Sequence, residues 1–293
     1  MVAGHSVLTS NDHSAAAVKR EDAWFLEPFQ KGQLATMLSH IRRGVELAAA
    51  DNSSLLVFSG GETRAAAGPR SEARSYWEAA HAMAWYGTPR VRARTLLEPY
   101  ARDSLENLLF AICRFKEASG RYPSRVSVVS FGFKRHRFVE LHRAALRLPR
   151  SAFRYIGIDP PNLGLEVLRG ELAHSGKPFE RDPYGCAESG LRAKRASRNP
   201  FGRQGHLGYG ASCSELRGLL QYCADTRYQG ELPWSRTLGD DDDAPRGVAP
   251  KPVAYSTTSD HANALAPVFV ARIAEDVRRG EANEALVEGM FTD

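Results

Sequence analysis

Apolar positions recur with two different periods through the first half of the chain. Over Leu34–Ala50, residues Leu34, Leu38, Ile41, Val45 and Ala48 fall three or four apart and line one face of a helix. The run Leu55-Leu56-Val57-Phe58, entered from Ser54, is continuous, as in a strand covered on both faces. The alternation continues on both sides of these two elements. Val2–Leu8 reads as a short opening strand. Ser71 has the position of an N-cap for a helix running to about Tyr86, where Gly87-Thr88-Pro89 stops it. Arg94–Glu98 is the next strand. Asp103 and Glu106 have capping-box spacing ahead of a helix that runs to Ser119 and closes at Gly120. Val126–Phe131 is a strand, Lys134–Leu146 a basic amphipathic helix, and Phe153–Ile158 a fifth strand ended by Asp159-Pro160-Pro161.

Strands alternating with helices predict an α/β fold: a Rossmann-like parallel sheet with helices on both faces. No repeat of fixed period is present. After Pro161 the alternation stops, and Gly, Pro and Arg become frequent. Helix patterns remain at Cys186–Arg198, Ser214–Ala224 and His261–Arg279. Residues 235–252, with three prolines and the run Asp240-Asp241-Asp242-Asp243, read as a mobile loop. The expected organisation is an α/β domain over residues 1–160 and an irregular, helical C-terminal extension over 161–293, packed on the same domain.

Composition narrows the class. Of 293 residues, 43% are hydrophobic and 25% charged, ordinary for a folded domain. No apolar run reaches the roughly 18 residues of a membrane span. The N-terminal residues lack the pattern of a signal peptide, so a cytoplasmic protein without membrane contact is expected. Cys113, Cys186, Cys213 and Cys223 show no C-x-x-C spacing, which speaks against structural zinc. In that compartment no disulfide is expected. The net charge is +5, and arginine outnumbers lysine. Guanidinium forks suit phosphate and carboxylate, although GC-rich codon usage gives the same bias. The basic residues are scattered and form no nucleic-acid-binding signature, so nucleic acid is not the expected partner.

In an open α/β sheet, ligands bind outside the carboxyl ends of the strands. Four consecutive strand ends carry unusual polar residues here: His5; then Ser59-Gly60-Gly61-Glu62-Thr63; then Glu98 through Ser104, including Arg102; then Gly132 to Arg137. Each also has a plain structural reading as a turn, a cap or a solvated helix start. Read functionally, backbone amides at Gly60-Gly61 hold an anion, with the Ser59 and Thr63 hydroxyls as further donors. Arg102, Lys134, Arg135 and Arg137 supply counter-charge. Glu72, Glu98 and Asp103 serve as general base or as ligands to a divalent cation. Ser71, Ser104 and Asn107 stand at helix starts facing the same edge. There is no P-loop, dinucleotide fingerprint or G-x-S-x-G elbow.

Together Ser59-Gly60-Gly61, Ser71-Glu72-Ala73, Glu98, Ser104-Leu105-Glu106-Asn107 and Phe133-Lys134-Arg135-His136-Arg137 resemble the YdcF-like family, domain-of-unknown-function family 218, over about residues 1–158. Trp24 to Gly32, Asp182 to Cys186 and Arg198-Asn199-Pro200-Phe201 resemble its fungal branch and extend the likeness to about residue 234. The resemblance implies a Rossmann-like fold with a strand-end pocket, and some members are associated with S-adenosylmethionine. This chain departs from the family in lacking a membrane anchor and in the placing of His136. Three functions follow as expectations: an enzyme acting on a small anionic metabolite, a regulatory protein holding a nucleotide-like ligand or S-adenosylmethionine without turnover, and an interaction protein using the arginine-rich tail.

Overall fold

The computed structural model describes residues 1–187 and 189–235. Residues 236–252 of the expected loop, and the His261–Arg279 helix, lie outside the described residues.

The opening strand is broken. β1 covers only Val2–Ala3; the chain then turns away, and β2 (Val7–Leu8) pairs antiparallel with β3 (Trp24–Phe25) in a separate two-stranded sheet. The break falls at Gly4, whose N–H donates to Ser59 O at 2.7 Å. A Cβ at Gly4 would stand 2.5 Å from Glu72 Cβ, a contact with a residue far along the chain that no local pattern carries. Helix α1 is Leu34–Ala50, the span the periodicity predicts. β4 is Leu56–Ser59, α2 is Glu72–Ala82 and β5 is Thr95–Glu98. Helix α2 stops four residues before Tyr86 because Ala84, Trp85 and Tyr86 all take positive φ. That left-handed turn drops Trp85 into the core and lets the Tyr86 hydroxyl donate to Leu38 O.

α3 spans Ser104–Ser119, and Gly120 closes it at φ 74°. Asp103 caps it by accepting from Glu106 N. The reciprocal arm of the expected capping box is redirected: the Glu106 carboxylate accepts from Arg102 N and its guanidinium. β6 is Val126–Ser130. The predicted basic helix is irregular, a 3-10 turn at Gly132–Lys134, then a π-type turn over Arg137–His142, then α4 at Arg143–Ala145. β7 is Phe153–Gly157.

The main sheet has the order β5-β4-β1-β6-β7, and every neighbouring pair is parallel. Alternate side chains feed its two faces. Val2, Phe58 and Val129 pack with α1 and α2, whereas Ala3 and Val128 pack with α3 and the segment after β6. Fully buried side chains such as Phe58, Ile41 and Leu108 each contribute roughly 1.5–3 kcal/mol through burial. Helices that follow β1 and β4 lie on one face and those that follow β5 and β6 on the other. The topological switch point therefore lies between β1 and β6.

Two short helices, α5 (Leu165–Glu171) and α6 (Lys177–Arg181), appear where the glycine-punctuated sequence shows no clear period. α7 (Ser189–Ser197), α8 (Tyr209–Ser212) and α9 (Arg217–Leu220) follow. Phe179, Tyr184, Leu191, Tyr209, Leu216 and Trp234 share one core with α3, so this part of the extension is fastened to the sheet domain. Cys186 and Cys223 form a disulfide, against the expectation of none. Cys113 and Cys213 are free and buried. No helix among the described residues is long and apolar enough to cross a membrane.

Candidate functional site

The switch point is lined by the residues that leave β1 and β6. His5, half-buried, lies with Nε2 3.0 Å from Ser130 Oγ and Nδ1 3.4 Å from Lys134 Nζ. Its ring packs on Phe131, and its carbonyl accepts from Gln30 Nε2. Burial, and then Lys134, His40 and Arg137, hold the imidazole well below its usual 6.5, so it is neutral. Burial together with Arg137 and Arg198 brings the Lys134 ammonium down from 10.5 to about 7, against the opposing pull of Glu171 and Glu72. Arg137 is buried and pairs with Glu171 at 3.1 Å. Arg135, in contrast, is exposed and lies over the Tyr155 ring, outside the crevice.

The glycine turn does something other than expected. Gly60 N–H donates to Glu98 O at 2.9 Å and Gly61 N–H to Ala101 O at 2.7 Å, so both amides are already engaged and form no anion cradle. The glycines are required by close approach. A Cβ at Gly60 would sit 2.5 Å from Glu72 Oε2, and one at Gly61 2.7 Å from Ala101 O. The turn thus clasps the Glu72 carboxylate, which is buried at the start of α2 and accepts from Thr63 Oγ1 at 2.5 Å. Ser71 is the N-cap of α2, accepting from Arg74 N. Glu62 faces outward and pairs with Arg203 of the extension at 2.6 Å.

The three candidate carboxylates do not converge. Glu98 is fully buried in a polar knot with Ser59, Asn107 and the Tyr209 hydroxyl. Burial raises its carboxyl from 4.5 to about 7, with the Ser59 hydrogen bond opposing. It is a core group: Ser59 Oγ bonds it directly, Asn107 Oδ1 lies in turn within reach of the same Ser59 hydroxyl, and all three residues are buried. Asp103 caps α3 and binds Arg195 of α7 at 2.6 Å. Burial pushes its carboxyl up, but Arg195 together with the hydrogen bond from Glu106 N leaves it lowered. Arg102 is tied to Glu106, and the Ser104 hydroxyl lies 2.7 Å from the buried His142 Nε2. Among the described residues no group of three His, Cys, Asp or Glu side chains could hold a metal ion.

Sequence reasoning missed the cations that the extension delivers. Arg195 of α7, bound to Asp103 and, at 3.2 Å, to Glu106, docks that helix against the start of α3. Lys194 and Arg198, four apart and so on one helix face, are thereby carried toward Lys134 and Arg137. Lys194 Nζ donates to His174 O at 3.2 Å, and Arg198 to Arg102 O at 3.2 Å. Burial, then Arg198 and Arg137, lower the Lys194 ammonium from 10.5 to about 7. Burial and then Arg64 lower the Arg198 guanidinium, with Glu72 and Asp103 opposing. Arg64 itself pairs with Glu27 at 3.1 Å. The basic run Arg192 to Arg198 was the available signal, but its docking depends on Asp103 and Glu106, nearly a hundred residues earlier. A cavity of about 540 Å3 lies elsewhere, around Met1, Leu56, Val126 and Phe153 at the opposite end of the strands, and contains none of these groups.

The fold and its edge define a Rossmann-like α/β protein with a cluster of basic side chains near the switch point. No protein-family model matches the chain, and no solved structure matches it. It is similar to the uncharacterized protein YOR238W of Saccharomyces cerevisiae, 26% identical over 294 residues, covering 80% of this chain and 96% of the yeast protein.

Proposed function

We propose that this chain is a YdcF-like protein of the fungal branch that binds a small anionic or nucleotide-like metabolite at the switch-point crevice. The observation that carries this reading is the surplus of positive charge there. Lys134, Lys194 and Arg198 make no ion pair among the described residues, and each pushes on the others. Leaving such charges half-buried and uncompensated is costly unless an anion is meant to join them. The strand-end rule for open sheets points to the same edge, and the S-adenosylmethionine association of the resembled family puts that ligand among those to test.

Glu72 is the carboxylate placed to accept a proton from a bound metabolite. It is one of the opposing charges felt by both Lys134 and Arg198, and its Oε2 has no protein hydrogen bond among the described residues. The test is a thermal-shift panel of nucleotides, sugar phosphates and S-adenosylmethionine. The reading expects at least one to raise the melting temperature of the wild type and to lose that effect in Lys134→Met. A panel without any shift would overturn it.

A further inference from the structure

We infer that the crevice takes a phosphate monoester or a diphosphate, clamped jointly by Lys134 from the sheet edge and by Lys194 and Arg198 from the extension. This rests on the binding reading above and goes further in two respects: it names the ligand's chemical class, and it makes the extension part of the site.

The charge balance selects the class. Lys134, Lys194 and Arg198 make no ion pair among the described residues; with Glu171 paired to Arg137, Asp103 paired to Arg195 and Asp159 set against Arg135 as well as Lys134, Glu72 is the carboxylate left to oppose them, and an excess of two positive charges remains when both lysines are protonated. A carboxylate ligand cancels one of them, whereas a phosphate dianion or a diphosphate cancels both. The donor types agree. One guanidinium fork and two ammonium groups, arriving from two different elements, suit an oxyanion whose several terminal oxygens point in different directions. The neutral His5, with Nδ1 beside Lys134 Nζ, adds no charge and offers a ring nitrogen at the same edge.

The placement of Lys194 and Arg198 is built rather than incidental. Between them in sequence, Arg195 is held by Asp103 and Glu106 at the start of α3. Just past the end of α7, the Arg198 N–H donates to Lys194 O at 3.2 Å, which keeps the pair on one face. Each of the three cations lies within electrostatic reach of the other two.

Proton linkage gives a readout that a structural role would not move. Lys134 is faced by His5, Arg137 and Arg198, and from the acidic side by Glu72, Glu171 and Asp159. Lys194 is faced by Arg198, Arg137, Lys134, His174 and Glu171. A bound dianion favours the charged form of both lysines, so binding above pH 7 must draw in protons.

The experiment is calorimetric titration of the full chain with inorganic pyrophosphate at pH 8, in two buffers of different ionisation enthalpy, with acetate as the single-charge control. We expect saturable pyrophosphate binding, no acetate binding, and a buffer-dependent enthalpy that reports proton uptake. Lys194→Met and Arg198→Met should each weaken binding about tenfold or more, with Arg198→Lys retaining most of it. Pyrophosphate binding that is undiminished in both methionine variants would overturn the clamp while leaving the strand-end site standing. A wild type that ignores pyrophosphate but responds to S-adenosylmethionine would overturn the phosphate class alone. A wild type that binds neither overturns both readings. If either methionine variant fails to fold, the wild-type enthalpies decide, because binding without proton uptake contradicts the proposal.

Discussion

Replacing Glu98 by Gln should make the protein more stable than the wild type at pH 8 and not at pH 4. Glu98 is fully buried, and Ser59 Oγ lies 2.6 Å from its Oε2 and 2.8 Å from Asn107 Oδ1. A hydroxyl has one proton to give, so Ser59 cannot donate to both. A protonated Glu98 resolves the conflict by donating to Ser59, which then donates to Asn107. Burial raises this carboxyl from 4.5 to about 7, and the native state therefore holds the proton more tightly than the unfolded chain. For a raised carboxyl the stabilisation is complete below the unfolded value of 4.5 and is lost as pH climbs through about 7. At 1.36 kcal/mol per pH unit of displacement, the loss by pH 8 is about 3 kcal/mol. Glutamine keeps the shape and never ionises. Urea unfolding of both proteins at pH 4, 6 and 8 gives the difference in stability at each pH, so that other titrating groups, Lys134 and Lys194 among them, cancel. The difference should move in favour of Glu98→Gln by about 3 kcal/mol across this range. A difference independent of pH, or one moving the other way, would show that the native state does not hold the Glu98 proton more tightly than the unfolded chain.

Other substitutions test the remaining framework. Gly61→Ala brings a Cβ to 2.7 Å from Ala101 O and should cost about 1–3 kcal/mol in denaturant unfolding, whereas Gly190→Ala in α7 meets open space and should be neutral or stabilising. Asp103→Asn keeps a cap acceptor for Glu106 N but gives up the charge opposite Arg195. Asp103→Ala loses both and should be less stable than Asn by about 1 kcal/mol in the same assay. The Cys186–Cys223 bridge closes a loop of separation 37, so reduction should cost up to about 4 kcal/mol. Unchanged unfolding on adding reductant, together with both thiols open to alkylation, would remove the bridge from the account.

The parts of the fold that were legible in the sequence are those set by local rules. The apolar stripe of Leu34–Ala50 defines α1 to the residue, and Gly120 ends α3 because a left-handed closing residue favours glycine. The parts that were hidden depend on distant contacts. The break at Gly4 follows from Glu72, and the early end of α2 follows from the need to bury Trp85. The site divides in the same way. The strand-end rule brought His5, Lys134 and Arg137 to one edge, as their spacing implied. It could not show that Ser59, Glu98 and Asn107 turn inward to satisfy one another, since a polar residue at a strand end reads the same whether it faces solvent or core. Nor could it place Lys194 and Arg198, whose positions depend on Arg195 meeting Asp103 and Glu106 across the fold.

An anion site centred on Lys134 at the β1–β6 edge has to bind an inorganic oxyanion. Its most direct test is equilibrium binding of inorganic pyrophosphate to the wild type, Lys134→Met and Arg135→Ala at pH 7. The wild type should bind saturably, Lys134→Met about tenfold or more weakly, and Arg135→Ala like the wild type, because the Arg135 guanidinium lies over Tyr155. Equal weakening by both substitutions would mean that net charge governs binding and that no anion site is centred on Lys134.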